Sequence, residues 1–373
     1  MTGSVLLIGG SGPTGPLIAA GLTRLGHKVT ILHRGVHEVA ETDGLEHIHA
    51  DPHFAGPLRD AIAARTFDVV VATYGRLAAV AEVFGGRCGQ LVAVTGSPVY
   101  RGWFGPHHRP PLAMRVPTRE SDAALTESEA AESRQAAFQF KIRQAEDQVL
   151  ERAASGEFSA CLLRYPNIYG PRQVTPLEWR VVKRVLDGRA QMIVPENGLA
   201  IYTRWYAANA SHAVMLAVAR PEDADGQVFN GGDGDQYSLR QWLEMALDHL
   251  GSQMRLVSLP DDLAGPGRAL NPLWGLSTHG YLDTRKLEQA LGYQDRMPAR
   301  LALAQTIDWY LEHPPAQAGP GPEFDYAYED RVISCYLRLA ESVRHELDFQ
   351  IPLARHPYAH PREPGPHRDE HGR

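Results

Sequence analysis

A doubly wound α/β fold with a parallel sheet is predicted by two observations. Short apolar, β-branched runs alternate with helical stretches through the first half of the chain at the spacing of βαβ units. The first run is joined to the first helix by the turn Gly9-Gly-Ser-Gly-Pro-Thr-Gly15. The length of 373 residues adds a third constraint, because it holds a large core and suggests about two domains.

Residues 5–8 form an apolar run that reads as a buried strand, and Leu17, Ile18, Leu22 and Leu25 follow at helical spacing. In a strand–turn–helix unit, Gly9, Gly12 and Gly15 have separate tasks. One permits the tight turn, one lets the backbone approach a pyrophosphate, and one lets the helix pack on the strand. The phosphates then meet the positive end of the helix, with Ser11 and Thr14 in the same turn. Pro13 lies near the first helical turn, where a missing N–H costs little.

A second strand, residues 28–32, ends in His33, Arg34 and Gly35. The tip of this strand meets the adenosine ribose of a bound dinucleotide. An acid there suits a free 2′-hydroxyl and an arginine suits a 2′-phosphate, so Arg34 and the missing acid favour NADP over NAD. The competing readings are a solvated Arg34 and a His33 that hydrogen-bonds the ribose. Residues 48–51 form a third strand ending in Asp51, which either holds the adenine amino group or caps the turn at Pro52. A helix at 58–64 leads to a strand at 67–72, and a helix at 78–84 to a strand at 90–95. Ligands in such sheets bind at the carboxyl ends of the strands. That rule selects Tyr74 after the fourth strand and Thr95, Ser97 and Tyr100 after the fifth.

Apolar residues make up 43% and charged residues 22% of the chain, ordinary values for a globular protein. A net charge of −7 disfavours nucleic acid and anionic membranes as partners. No run approaches the roughly 18 apolar residues of a membrane span, and the N-terminus enters a strand rather than a leader, so a cytoplasmic location is expected. Cys88, Cys161 and Cys335 lack metal-ligand spacing and read as reduced thiols.

Three stretches carry a family resemblance: Gly9 to Gly15, Val94-Thr-Gly-Ser-Pro-Val-Tyr100, and Arg164-Tyr-Pro-Asn-Ile-Tyr-Gly-Pro-Arg172, with weaker similarity over 204–213. Over about residues 1–312 the chain resembles the extended short-chain dehydrogenase/reductases of the NAD-dependent epimerase/dehydratase type. The resemblance implies a Rossmann dinucleotide-binding domain at 1–172 and 201–235. It implies a smaller, split substrate domain at 173–200 and 236–312, leaving a linker, helix and tail at 313–373.

The family's active site joins a Ser or Thr to a Tyr and a Lys one helical turn apart. The Tyr moves the proton, and the Lys lowers its pKa while holding the nicotinamide ribose. Here the residue four before Lys141 is Ala137, and a register set by Glu146 puts Phe138 and Ile142 at the two positions. Neither gives Tyr-x-x-x-Lys, and the Ser position falls on Gly96 or Ser97. Three accounts follow. Tyr100 with Ser97 handles proton and oxygen, Tyr74 or Tyr169 does so from another strand end, or nucleotide binds without a redox step. Lys141 is either a cofactor-ribose ligand or a solvated helix charge.

The resemblance also implies that Tyr165, Asn167 and Ile168 meet the nicotinamide end, and that Tyr169, Arg172, Arg204 and Trp205 grip the substrate. Arginines there suit an anionic or hydroxylated ligand. The expected function is an atypical NADP-dependent oxidoreductase or epimerase/dehydratase acting on a hydroxyl or carbonyl of a small polar substrate, as a homodimer. The alternative is a non-catalytic nucleotide-binding sensor or scaffold. Residues 314–322 read as a linker and 330–347 as a helix with an apolar stripe. His107 and His108 lie on a Pro-rich loop. His356 and His360 are spaced as ligands could be but lack an accompanying motif, so no metal is expected.

Overall fold

Strand β1 (Ser4–Ile8) alternates its side chains between two cores. Val5 and Leu7 enter one with Ile18 and Leu22 of helix Gly15–Arg24 and Ala210 and Val214 of helix Ala207–Ala219. Leu6 and Ile8 enter the other with Ile62, Val80, Phe84 and Val149. A strand covered on both faces reads as an uninterrupted apolar run, as residues 5–8 do. The computed structural model describes residues 2–36, 39–104, 113–272, 275, 277–315 and 321–347.

The remaining strands are β2 (Lys28–His33), β3 (Glu46–His49), β4 (Phe67–Ala72), β5 (Cys88–Gly96), β6 (Ser159–Tyr165), β7 (Asn167–Tyr169), β8 (Gln191–Pro195), β9 (Arg204–Tyr206), β10 (Gln227–Asn230) and β11 (Arg255–Leu259). Seven of them form a parallel sheet in the order β10-β6-β5-β4-β1-β2-β3, the doubly wound arrangement expected. The chain leaves β1 toward β2 and β3 on one side and continues from β4 on the other. The strand order therefore reverses between β1 and β4, and a crevice opens at their carboxyl ends.

β3 is displaced from the expected 48–51 by two residues. It pairs with β2 at the edge of the sheet and carries Glu46, His47 and His49, so a search for apolar runs finds only its end. Helix Gly15–Arg24 starts two residues after Pro13 and has Pro16 in its first turn.

A third core lies around the two-stranded sheet β8–β11. Trp179 and Val182 of helix Leu177–Leu186, Trp242 and Leu243 of helix Leu239–His249, and Leu303, Ile307 and Tyr310 of helix Ala299–Glu312 pack with Met192 and Val194. Residues Met1–Asp325 make one compact unit containing all three cores. In the second unit, which starts at Tyr326, helix Tyr326–Leu347 begins four residues before the expected 330. His107, His108, His356 and His360 lie outside the described residues. Among the described residues, no helix is long and apolar enough to cross a membrane.

Candidate functional site

The crevice at the strand-order reversal is a cleft of about 600 Å³. Its floor is the glycine turn, whose three key glycines have different surroundings. Gly9 has φ +93°, and a Cβ there would lie 2.6 Å from the Tyr74 Cβ, so both conformation and space require glycine. At Gly12 a Cβ would meet nothing within 4 Å, which leaves the peptide open to the cleft. A Cβ on Gly15 would sit 2.5 Å from the Gly10 carbonyl, so this glycine seats the helix against the turn. The Thr73 hydroxyl, at the end of β4, donates to the carbonyls of Ile8 (3.0 Å) and Gly9 (2.9 Å) and fixes the turn from the other side of the crevice.

Gly9, Ser11, Gly12, Thr14, Arg34, Tyr74, Tyr165, Asn167, Ile168 and Arg172 all line this one cleft. At the β2 end, the Arg34 guanidinium lies 5.6 Å from the centre of the Tyr74 ring. Asp51 is not part of the wall. Its carboxylate accepts from the backbone N–H (3.0 Å) and contacts the ring Nδ1 (2.7 Å) of His53, and these bonds hold it below the usual carboxylate range. At the β6–β7 end, the Asn167 Nδ2 is buried without a protein hydrogen-bond partner, and the Tyr165 hydroxyl is buried beside the Thr14 side chain. Burial also pushes the Tyr165 hydroxyl pKa up.

Arg172 joins the two ends. Its backbone is left-handed at φ +62°, and its guanidinium pairs at 2.5 Å with Glu41, which follows the Arg34–Val36 part of the wall. The pair thus ties the segment after β7 to the segment after β2. Pro13, His33, Val36, Thr73, Pro166, Val174 and Thr175 complete the lining, and of these Val36, Thr73, Val174 and Thr175 carry no motif that would select them in the sequence.

The expected catalytic group is elsewhere. Tyr100 is 1% exposed, and its hydroxyl donates to Asn230 Oδ1 (2.5 Å) while accepting from Arg164 Nη1 (2.7 Å). Burial pushes it up to about 12 despite the Arg164 charge. The proton role expected of Tyr100 is therefore not supported in this arrangement, because both functions of its hydroxyl are already used internally. Arg164 continues the network through Nε and Nη2, which donate to Glu146 in a buried pair at 3.0 and 2.6 Å, and the Thr95 hydroxyl donates to the same carboxylate at 2.6 Å. Ser97 is buried, and its hydroxyl has no partner.

Helix Arg134–Ala154, capped by Ser133, turns Gln139, Glu146 and Val149 inward. Ile142 lies on the same stripe and packs near Val99, Tyr100, Met114 and Leu282. Residues 142 and 146 sit one turn apart on one face, so the Glu146 register is the one the helix adopts. Lys141 falls off that face and is exposed. Phe138 is half exposed and meets Phe104 edge-on at 6.5 Å.

Three residues expected at the substrate are internal instead. Tyr169 donates to Asp233 Oδ2 at 2.7 Å. Arg204 donates to the carbonyls of Tyr202 (3.2 Å) and Tyr237 (3.3 Å) under the Trp242 ring. Trp205 is fully buried, with its Nε1 donating to the Tyr293 hydroxyl at 2.7 Å. A planar guanidinium and an indole serve here to satisfy backbone and fill volume. Their side chains come from β9, which pairs with β7 beneath the cleft-lining residues.

Residues 121–232 match the model of the NAD dependent epimerase/dehydratase family. The dTDP-glucose 4,6-dehydratase of Streptomyces antibioticus is 28% identical over 154 residues, which are 40% of this chain and 41% of that protein. A dTDP-glucose 4,6-dehydratase of Actinoplanes is 29% identical over 151 residues, 39% of this chain and 42% of that protein. The chain thus spans about two-fifths of the length of the curated relatives it matches. Among solved structures, the UDP-glucose 4-epimerase of Thermotoga maritima with UDP-glucose has a TM-score of 0.64 at 17% identity, covering 83% of this chain and 99% of that one. The dTDP-glucose 4,6-dehydratase of Bacillus anthracis in complex with NAD has 0.61 at 14%, covering 83% and 97%. Those likenesses show a shared fold. Over residues 121–232 the chain is thus similar to the NAD dependent epimerase/dehydratase family, and the solved structures share its fold.

Proposed function

We propose that the cleft binds a nicotinamide dinucleotide and that the protein is an oxidoreductase-type member of the NAD dependent epimerase/dehydratase family, acting on a hydroxyl or carbonyl of a small polar substrate. The observation that carries this reading is the open peptide at Gly12 beside the N-terminus of helix Gly15–Arg24, a cradle where backbone and helix end both favour a pyrophosphate. The fit extends in both directions. Arg34 stands at the tip of β2 in a cleft lining that holds no carboxylate among the described residues, which suits a 2′-phosphate and favours NADP, with the nearby Asp51 charge outside the wall. The unpartnered Asn167 Nδ2 and the buried Tyr165 hydroxyl lie at the other end. A bound cofactor would supply hydride chemistry, and this chain's residues would hold it, with Arg172 able to exchange its Glu41 partner for an anionic group.

The relatives named for dTDP-glucose and UDP-glucose make sugar nucleotides the first substrates to examine. Calorimetry with NADPH and NADH, followed by absorbance assays with UDP-glucose and dTDP-glucose, tests both parts. Tighter NADPH binding that Arg34→Ala abolishes supports the cofactor assignment; equal affinity for the two removes it. A homodimer in the cytoplasm remains part of the proposal, and sedentary dimer mass in light scattering is its check.

A second reading, a non-catalytic nucleotide sensor, is favoured by one observation. Ile142 occupies the inward stripe where the family resemblance implies a lysine, and Tyr100 is locked between Asn230 and Arg164. Dinucleotide binding with no absorbance change and no substrate conversion by NMR, which also detects redox-neutral epimerisation or dehydration, selects this reading.

A further inference from the structure

At the carboxyl ends of β2 and β3, where His33 lines the edge of the cleft, three histidines converge. We propose that His33, His47 and His49 form a binding site for a divalent late first-row transition-metal ion, with Zn²⁺ as its representative. This site does not depend on the dinucleotide reading.

The strand register creates it. His33 pairs directly with His49 across β2 and β3, and His47 lies two residues before His49 on the same face. One ring nitrogen from each of the three falls within 4.8 Å of the others. The His33 ring meets His47 and His49 nearly perpendicular, with centroids 5.0 and 4.8 Å apart, so neither pair is stacked face to face. Burial is graded: His33 is buried, His47 half-buried and His49 exposed. Three imidazoles with one side toward solvent form a donor set that zinc and its neighbours accept, with a fourth position left for water or another ligand.

The hydrogen bonds give the proton inventory. His47 Nε2 lies 2.9 Å from the Thr42 carbonyl, which can only accept, so this nitrogen carries the proton. His47 Nδ1 is then an acceptor and takes the bond from His33 Nε2 at 2.8 Å. His33 Nδ1 in turn accepts from the Gly35 N–H at 3.1 Å. Both rings are neutral in this chain of bonds. His47 already has the form a metal ligand needs, with a lone pair facing the cluster and its other nitrogen anchored to a carbonyl.

His33 needs one rearrangement. When Nε2 binds the ion, its proton moves to Nδ1, and no proton leaves the ring. Two donors would then face each other at Gly35, so that amide turns away. Gly35 has φ +74° and no side chain to resist the turn. With metal–nitrogen bonds of about 2.0–2.1 Å, the 2.8 Å separation of His33 and His47 opens by about half an ångström. Because Arg34 and Val36 flank Gly35 and line the cleft, metal binding displaces the cleft wall.

The test is Zn²⁺ calorimetry on the full-length, chelator-stripped protein, compared with His49→Gln and with the His47→Gln/His49→Gln double variant. The tail histidines are present in all three and contribute equally. The proposal expects the wild type to bind one equivalent that the double variant lacks or binds at least about tenfold more weakly. Unchanged stoichiometry and affinity in the double variant overturn it. If the double variant does not fold, His49→Gln decides, since this residue is exposed: weaker Zn²⁺ binding at an unchanged Tm supports the site, and unchanged binding refutes it.

Discussion

Gly9 and Gly12 stand three residues apart in one turn and separate two kinds of requirement. Gly9 is needed to fold, since a Cβ there faces both a left-handed backbone and the Tyr74 Cβ at 2.6 Å. Gly9→Ala is expected to cost about 1–3 kcal/mol in urea unfolding. Gly12→Ala meets open space, so its stability should stay within about 0.5 kcal/mol of wild type. If the cleft holds a pyrophosphate, that same variant loses dinucleotide affinity in calorimetry. Tyr100→Phe makes the complementary case. It leaves Asn230 and Arg164 each short of a buried partner, which should cost about 1–3 kcal/mol while leaving dinucleotide affinity unchanged. Sequence reasoning located the glycines because their spacing reports backbone geometry directly. It could not place Tyr100, because a residue following a strand end faces either the crevice or the interior, and only the partners on Arg164 and Asn230 decide which.

At the scale of elements, helix Arg134–Ala154 was legible as a helix, and its register follows from which side chains it buries. Glu146 is drawn inward by Arg164, a buried ion pair made tolerable by two close hydrogen bonds and by the Thr95 hydroxyl. That pairing connects β5, β6 and the helix, and it could not be read from one stretch of sequence. β3 shows the opposite difficulty: an edge strand of polar residues gives no apolar signal, so His47 and its neighbours were passed over. A second buried carboxylate controls a pH response. Asp233 accepts from Tyr169, Asn209 and the Tyr206 backbone, yet burial pushes it from 3.8 up to about 7. The folded protein therefore holds this proton where the unfolded chain has released it, and the associated stability falls as pH rises from about 4 to about 7. Asp233→Asn cannot titrate. Urea unfolding at pH 5 to 8 should show wild-type stability declining relative to the variant as pH rises toward 7, and a constant difference would disprove the coupling.

For the whole molecule, the sheet order fixes where the cleft lies, since strands leave β1 and β4 in opposite directions and cannot close the gap at their ends. Alternating strands and helices made that topology predictable. The walls were less so, because Val36, Val174 and Thr175 come from segments without periodicity. Glu41 is similarly silent in the sequence, though it pairs with Arg172 from 131 residues away. Glu41→Ala should tighten binding of a dinucleotide or sugar nucleotide and steepen its dependence on ionic strength, measured by titration at increasing NaCl; unchanged affinity at every salt level would assign the pair no part in binding.

The reason lies in how Arg172 spends its charge. An anion entering the cleft does not meet a bare cation screened by small ions; it displaces a tethered carboxylate that stays nearby. Binding then becomes an exchange of one negative partner for another. Few mobile ions are released, so entry and exit carry little electrostatic penalty in either direction. Such an arrangement trades affinity for turnover of the occupant, keeping the guanidinium oriented between visits.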